Sequence, residues 1–180
     1  MNHINLATVW LGGCSGCHMS FLDLDEWLFT LADQVNWVYS PFMDVKVYPN
    51  HVDVVLVEGA IANRDHLHMI YDVRERSRIL ISFGDCAVTG NVTALRNPLG
   101  GATPVLERCY LELSDHHAQL PGDDGIVPPL LDRVLPVHTV VPVDIYLPGC
   151  PPSAERIRAA LEPLLQGTMP HLQGEQIRFG

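Results

Sequence analysis

Positive charge is scarce in this chain. Its 180 residues carry 11 Lys and Arg against 21 Asp and Glu, a formal net charge of −10. No basic patch is offered to phosphate, so nucleic acid is not an expected partner. Long apolar runs are missing too, and none approaches the roughly 18 residues a membrane span needs. No basic segment, apolar h-region or twin arginine precedes the first strand pattern, so the expectation is a cytoplasmic protein. Yet the composition is 47% hydrophobic and 18% charged. Without a bilayer to receive that apolar content, a face buried against a partner protein is expected.

Five cysteines in a reducing compartment point to metal ligation or thiol chemistry rather than disulfides. Cys14 and Cys17 form a C-x-x-C pair within Trp10-Leu11-Gly12-Gly13-Cys14-Ser15-Gly16-Cys17-His18, where an apolar run from Ile4 to Leu11 gives way to a helical pattern. Gly12, Gly13 and Gly16 let the backbone turn tightly and bring N–H groups toward an anion. The following helix adds the positive end of its dipole. An iron-sulfur cluster held by four thiolates is negatively charged, and N–H donors to its sulfurs stabilise the reduced form. Cys86, in Gly84-Asp85-Cys86, and Cys150, in Pro148-Gly149-Cys150-Pro151-Pro152, also sit at turn signals. Cys109, inside Glu107-Arg108-Cys109-Tyr110-Leu111, has no such neighbour and is expected to be a small buried hydrophobe.

Periodicity organises the rest. Met19, Phe21, Leu24, Leu28 and Leu31 fit one amphipathic helix from about His18 to Leu31, and one of Val35–Tyr39 and Val45–Tyr48 supplies a second strand. Val52–Val57 reads as a strand covered on both faces. A helix over Asp65–Arg76 and a strand over Ile79–Phe83 follow. From Asn91 to about Pro136 the pattern weakens among prolines and the turn Gly122-Asp123-Asp124-Gly125. A stretch that long with little periodicity is usually functional. Val140–Leu147 restores a strand, and Ser153 caps a last helix whose apolar face is Ile157, Ala160, Leu161 and Leu164.

Strand and helix therefore alternate, which predicts a single doubly wound α/β domain over 1–180 with an irregular, partner-facing excursion over about 91–139, before the last strand. In such sheets ligands gather beyond the carboxyl ends of the strands. Cys14 with Cys17, Cys86 and Cys150 each follow a different strand, so four thiols distant in sequence can converge. Three other readings stand beside an iron-sulfur site. Zinc on four cysteines usually shows two C-x-x-C knuckles, and a zinc-stabilised α/β assembly module is the non-redox rival. A dithiol redox pair leaves Cys86 and Cys150 without a role. A flavin phosphate would take the first strand-to-helix loop, which the cysteine pair occupies.

Cys14-Ser15-Gly16-Cys17-His18-Met19-Ser20-Phe21-Leu22-Asp23, Val57-Glu58-Gly59-Ala60-Ile61, Gly84-Asp85-Cys86-Ala87 and Leu147-Pro148-Gly149-Cys150-Pro151-Pro152 together resemble the small subunit of nickel-iron hydrogenases. Within that group the chain is most similar to the cytoplasmic, bidirectional NAD-linked enzymes, through Trp10–Cys17 and Phe21-Leu22-Asp23-Leu24-Asp25-Glu26. The resemblance implies a flavodoxin-like fold and one proximal 4Fe-4S cluster on Cys14, Cys17, Cys86 and Cys150, with no thiols for a second. It implies a separate large subunit bearing the nickel-iron site, and flavin and iron-sulfur subunits that reduce NAD, the whole acting as a hydrogen:NAD+ oxidoreductase. A related hydrogenase delivering electrons to F420 or ferredoxin is the alternative. The complex I relative has two adjacent cysteines where this chain has the spaced pair. An FMN near the cluster is left open, since no distinct motif marks one.

Glu58, at the end of a buried strand, is a candidate proton relay or a cap for local N–H groups. His18, beside Cys17, is a candidate donor to a cluster sulfur, although a first-turn histidine ordinarily faces solvent or a partner, which is the expectation here. Arg96, Tyr110, His116 and His117 are candidate contacts to the large subunit.

Overall fold

In the computed structural model, which describes residues 3–122 and 125–179, the chain opens with β1 (Ile4–Trp10), the short helices α1 (Gly16–Leu22) and α2 (Trp27–Ala32), and β2 (Val35–Tyr39). Next come β3 (Val52–Glu58), β4 (Ile61–Asn63), α3 (Arg64–Arg76) and β5 (Ser77–Phe83). They are followed by α4 (Asp85–Thr89), a 3-10 helix over Asn91–Leu99, α5 (Thr103–Glu107) and a π-helical turn over Arg108–Glu112. β6 (Leu130–Leu135), β7 (Ile145–Leu147) and α6 (Ala154–Leu165) bring the chain back to the core.

Five strands form one sheet in the order β2-β1-β3-β5-β7, and each neighbouring pair is parallel. Successive side chains leave a strand on opposite faces, and here both faces are apolar. Leu6, Val54, Leu56, Ile81, Phe83 and Leu147 pack beneath Phe21, Leu31, Ile157 and Leu161. Ala7, Val9, Val55, Val57 and Leu80 pack on the other side against Ile70 and Val73 of α3. The doubly wound α/β architecture follows from that two-sided burial. The chain leaves β1 toward β2 and returns on the far side of β1 as β3, so the strand order reverses at β1/β3 and opens a crevice at the carboxyl ends.

Local chemistry sets the boundaries. Asn63 caps α3 by accepting the His66 N–H at 2.8 Å, and Arg74 and Arg76 lie in its last turn, where the dipole favours cations. Ser153 caps α6 through the Arg156 N–H. The helix expected over residues 18–31 is two helices, because a turn with Asp25 at φ +49° interrupts it. Asp tolerates the left-handed region, and the apolar spacing survives the break: Phe21, Leu24 and Leu31 all reach the core. Of the two candidates for the second strand, Val35–Tyr39 takes the role and Val45–Tyr48 forms no strand. The strand expected over 140–147 shortens to Ile145–Leu147. Pro142 has no N–H to give, and the Asp144 carboxylate accepts the Leu80 N–H at 2.7 Å while pairing with Arg74 at 2.6 Å.

The excursion over 91–139 carries more regular structure than its sequence pattern suggests. β6 pairs antiparallel with β4 in a second, two-stranded sheet. Arg96 donates to the carbonyls of Ala62 at 3.1 Å and Leu131 at 2.6 Å, and Asn97 exchanges two hydrogen bonds with the Val134 backbone. Asp123 and Asp124, part of the expected turn, lie outside the described residues.

Candidate metal centre

Four loops at the carboxyl edge of the sheet are fitted backbone to backbone. Beyond β1, Gly12 and Ala60 exchange two hydrogen bonds of 2.9 Å, tying the cysteine loop to the segment after β3. Gly59 has φ +89°, and a Cβ there would lie 2.8–2.9 Å from backbone atoms of Gly12 and Gly13. Beyond β5, the Gly84 and Asp85 N–H groups donate to the carbonyls of Leu147 and Gly149 at 2.8 and 2.9 Å, and the Asp85 carboxylate accepts the Gly149 N–H at 2.6 Å. Those ties bring the Cys86 and Cys150 loops side by side.

Cys14, Cys17, Cys86 and Cys150 all line one small cavity of about 70 Å³, with Glu58 and Asp85 in its wall. Cys17 and Cys86 are buried and Cys14 and Cys150 are exposed, so the thiols form a cup with one open side. Gly84 leaves space that no other residue can leave: a Cβ on it would lie 2.2 Å from Cys17 Sγ. Burial first, then the Glu58 carboxylate and the other three thiols push the Cys17 thiol well above the ordinary cysteine range. Burial pushes the Cys86 thiol up as well. Four thiolates in this cup therefore need a positive core between them, and iron ligation would supply it. The Gly16 N–H lies 3.4 Å from Cys14 Sγ, a donor of the kind that stabilises cluster sulfur. Among the described residues no three His, Cys, Asp or Glu side chains are grouped so as to hold a metal ion.

Glu58 is 1% exposed and accepts the His18 backbone N–H at 3.0 Å. The His18 ring also bonds this carboxylate through Nδ1. His18 is thus 2% exposed, packed edge-on against Phe42 and Phe83, and not the surface residue expected from its first-turn position. The buried acid on the neighbouring strand draws it inward. Cys109 departs in the opposite sense: it is exposed, because the π-helical turn carrying it stands away from the core. Tyr110, His116 and His117 are exposed, whereas Arg96 is half-buried and committed to backbone carbonyls. Two residues of the site were not singled out in the sequence. Asp85 bridges two cysteine loops, and Asn91 places Nδ2 3.4 Å from Cys150 Sγ. The Gly90-Asn91 pair, four residues after Cys86, is the signal by which the second could have been found.

Residues 14–164 match the family described as NADH ubiquinone oxidoreductase, 20 Kd subunit, and the chain belongs to that family. It is 40% identical over 171 residues to a vhu subunit of the F420-non-reducing hydrogenase of Methanococcus voltae, covering 94% of this chain and 58% of that one. Against the NAD-reducing hydrogenase HoxS subunit delta of Cupriavidus necator it is 36% identical, covering 91% of this chain and 79% of that one. Several of the curated relatives are thus spanned over little more than half their length. A crystal structure of NAD+-reducing [NiFe]-hydrogenase in the H2-reduced state superposes with a TM-score of 0.92 at 38% identity, covering 99% of this chain and 100% of that chain. The Ni-Fe-Se hydrogenase from Desulfomicrobium baculatum, at 16% identity and a TM-score of 0.57, shares the fold. Among the described residues no helix is long and apolar enough to cross a membrane.

Proposed function

We propose that this chain is the electron-transfer small subunit of a nickel-iron hydrogenase and holds one 4Fe-4S cluster on Cys14, Cys17, Cys86 and Cys150. The observation that carries the reading is the convergence of four thiols, from loops after three different strands, on a single cavity. When bound, the cluster would accept and pass on single electrons. The chain's own contribution is to hold the ligands rigidly, keep water from Cys17 and Cys86, and donate N–H groups to sulfur.

In this reading a large subunit with the nickel-iron site docks at the open side of the cup, and NAD-reducing flavin and iron-sulfur subunits take the electrons, all in the cytoplasm. Trp10, Val92 and Leu95 supply exposed apolar surface close to the cysteine loops, as an interface there would need. NAD is the favoured acceptor because of the likeness to the NAD+-reducing enzyme. The 40% identity to part of an F420-non-reducing hydrogenase supports the rival, a related hydrogenase with another acceptor. Hydrogen-dependent reduction of NAD by the purified complex tests the choice: reduction supports the first reading, and reduction of ferredoxin or another carrier without NAD supports the second.

Glu58 is assigned to anchoring the first turn of α1 through the His18 N–H, with proton relay as the competing role. Glu58→Gln keeps an acceptor for that N–H but gives up the ionisable carboxyl. A hydrogen-uptake pH profile unchanged by Glu58→Gln rules out relay; a collapsed profile at full iron content supports it.

A further inference from the structure

We propose that Asn91 raises the reduction potential of the cluster by donating its side-chain N–H to the sulfur of Cys150. The inference rests on the ligand assignment above and adds a residue that acts on the cluster without binding iron. Asn91 Nδ2 lies 3.4 Å from Cys150 Sγ, within hydrogen-bond reach of a sulfur acceptor. A thiolate only accepts, so the amide must turn its N–H toward it.

The backbone shows how the amide is aimed. Gly90 and Asn91 are consecutive residues at positive φ, +88° and +38°. Asn is among the few residues with a side chain that tolerate this region, so one residue can both make the turn and carry an amide to Cys150. The turn is pinned: the Asn91 N–H donates to Thr89 Oγ1 at 3.2 Å, and the Thr89 hydroxyl is fixed on the Asp85 carbonyl at 2.8 Å. The Thr93 hydroxyl lies beside Cys86 in the same loop, where its hydrogen bond favours the thiolate, and it is also within reach of the carbonyls of Gly90 at 2.9 Å and Gly12 at 3.2 Å. Adding an electron increases negative charge on the sulfurs, so a donated N–H favours the reduced form.

The test is a redox titration of the anaerobically purified complex, poised with dithionite and mediators and followed by the EPR signal of the reduced cluster. One electron enters and no bond or proton changes. Asn91→Gly keeps the positive φ and removes the amide. At the potential where the unaltered complex is half reduced, its reduced-to-oxidised ratio should fall about three- to tenfold, tenfold being about 59 mV for one electron. Asn91→Asp, similar in shape but without the donor and negatively charged, should shift further in the same direction and carries the test if the glycine variant loads poorly. Iron and sulfide contents at the unaltered level keep the ligand assignment intact while the potentials are compared. Potentials that stay put, or move up, with full iron and sulfide overturn the inference alone. Absence of iron and sulfide from the unaltered chain overturns the ligand assignment and the inference together.

Discussion

The cysteine rim and the excursion that follows it are held by different means. At the rim, glycine-lined loops meet backbone to backbone, with hydrogen bonds of 2.8–2.9 Å between Gly12 and Ala60, Gly84 and Leu147, and Asp85 and Gly149. In the excursion, the side chains of Arg96 and Asn97 reach across to carbonyls and an N–H of the second sheet. The rim has no slack, since a single added methyl group meets the Cys17 sulfur at Gly84 or a facing backbone at Gly59. The excursion leaves Leu95, Leu99, Tyr110 and Ile126 exposed. Rigidity sits where a cluster would need fixed ligands, and exposed apolar surface sits where a partner would need a landing place.

Four substitutions break or sharpen that contrast. Cys86→Ser removes a proposed ligand from the closed wall of the cup and should abolish iron and sulfide binding by this chain, read by metal analysis, together with hydrogen-dependent activity of the complex. Gly84→Ala should come close to it. The backbone at φ +84° and ψ 163° alone costs about 1–3 kcal/mol for a non-glycine residue, and the added Cβ would force Cys17 aside. Iron content and denaturation midpoint should fall together. Arg96→Ala strands carbonyls of β4 and β6 and should lower stability by about 1–3 kcal/mol in chemical denaturation, while cluster loading persists. Leu95→Asp, at a position 73% exposed, should change stability by no more than about 0.5 kcal/mol and yet weaken co-purification of the large subunit. If Arg96→Ala emptied the cluster, the independence of the two regions would be disproved.

Much of this was legible beforehand where one strong periodicity acts alone. Val52–Val57 could be read as a two-sided strand, and Asp65–Arg76 as a helix, because burial repeats along them. Cys14, Cys17, Cys86 and Cys150 stand out in the sequence because each lies beside a glycine, a proline or a turn signal beyond a strand. What escaped were features made by distant side chains. The pairing of β4 with β6 joins residues about seventy positions apart and shows no alternation strong enough to announce it. His18 looked like a first-turn surface residue, and only the arrival of Glu58 from β3 explains its burial. Cys109 was expected inside on the habit of its residue type, and the π-helical turn puts it outside. Asn91 gave only a turn signal, since its partner Cys150 is supplied by tertiary structure.

Iron and acid-labile sulfide, measured on the anaerobically purified chain freed of its partners, test the central assignment most directly. About four of each per chain, with an EPR signal appearing on reduction, is the expected result. A single zinc with no sulfide would contradict it.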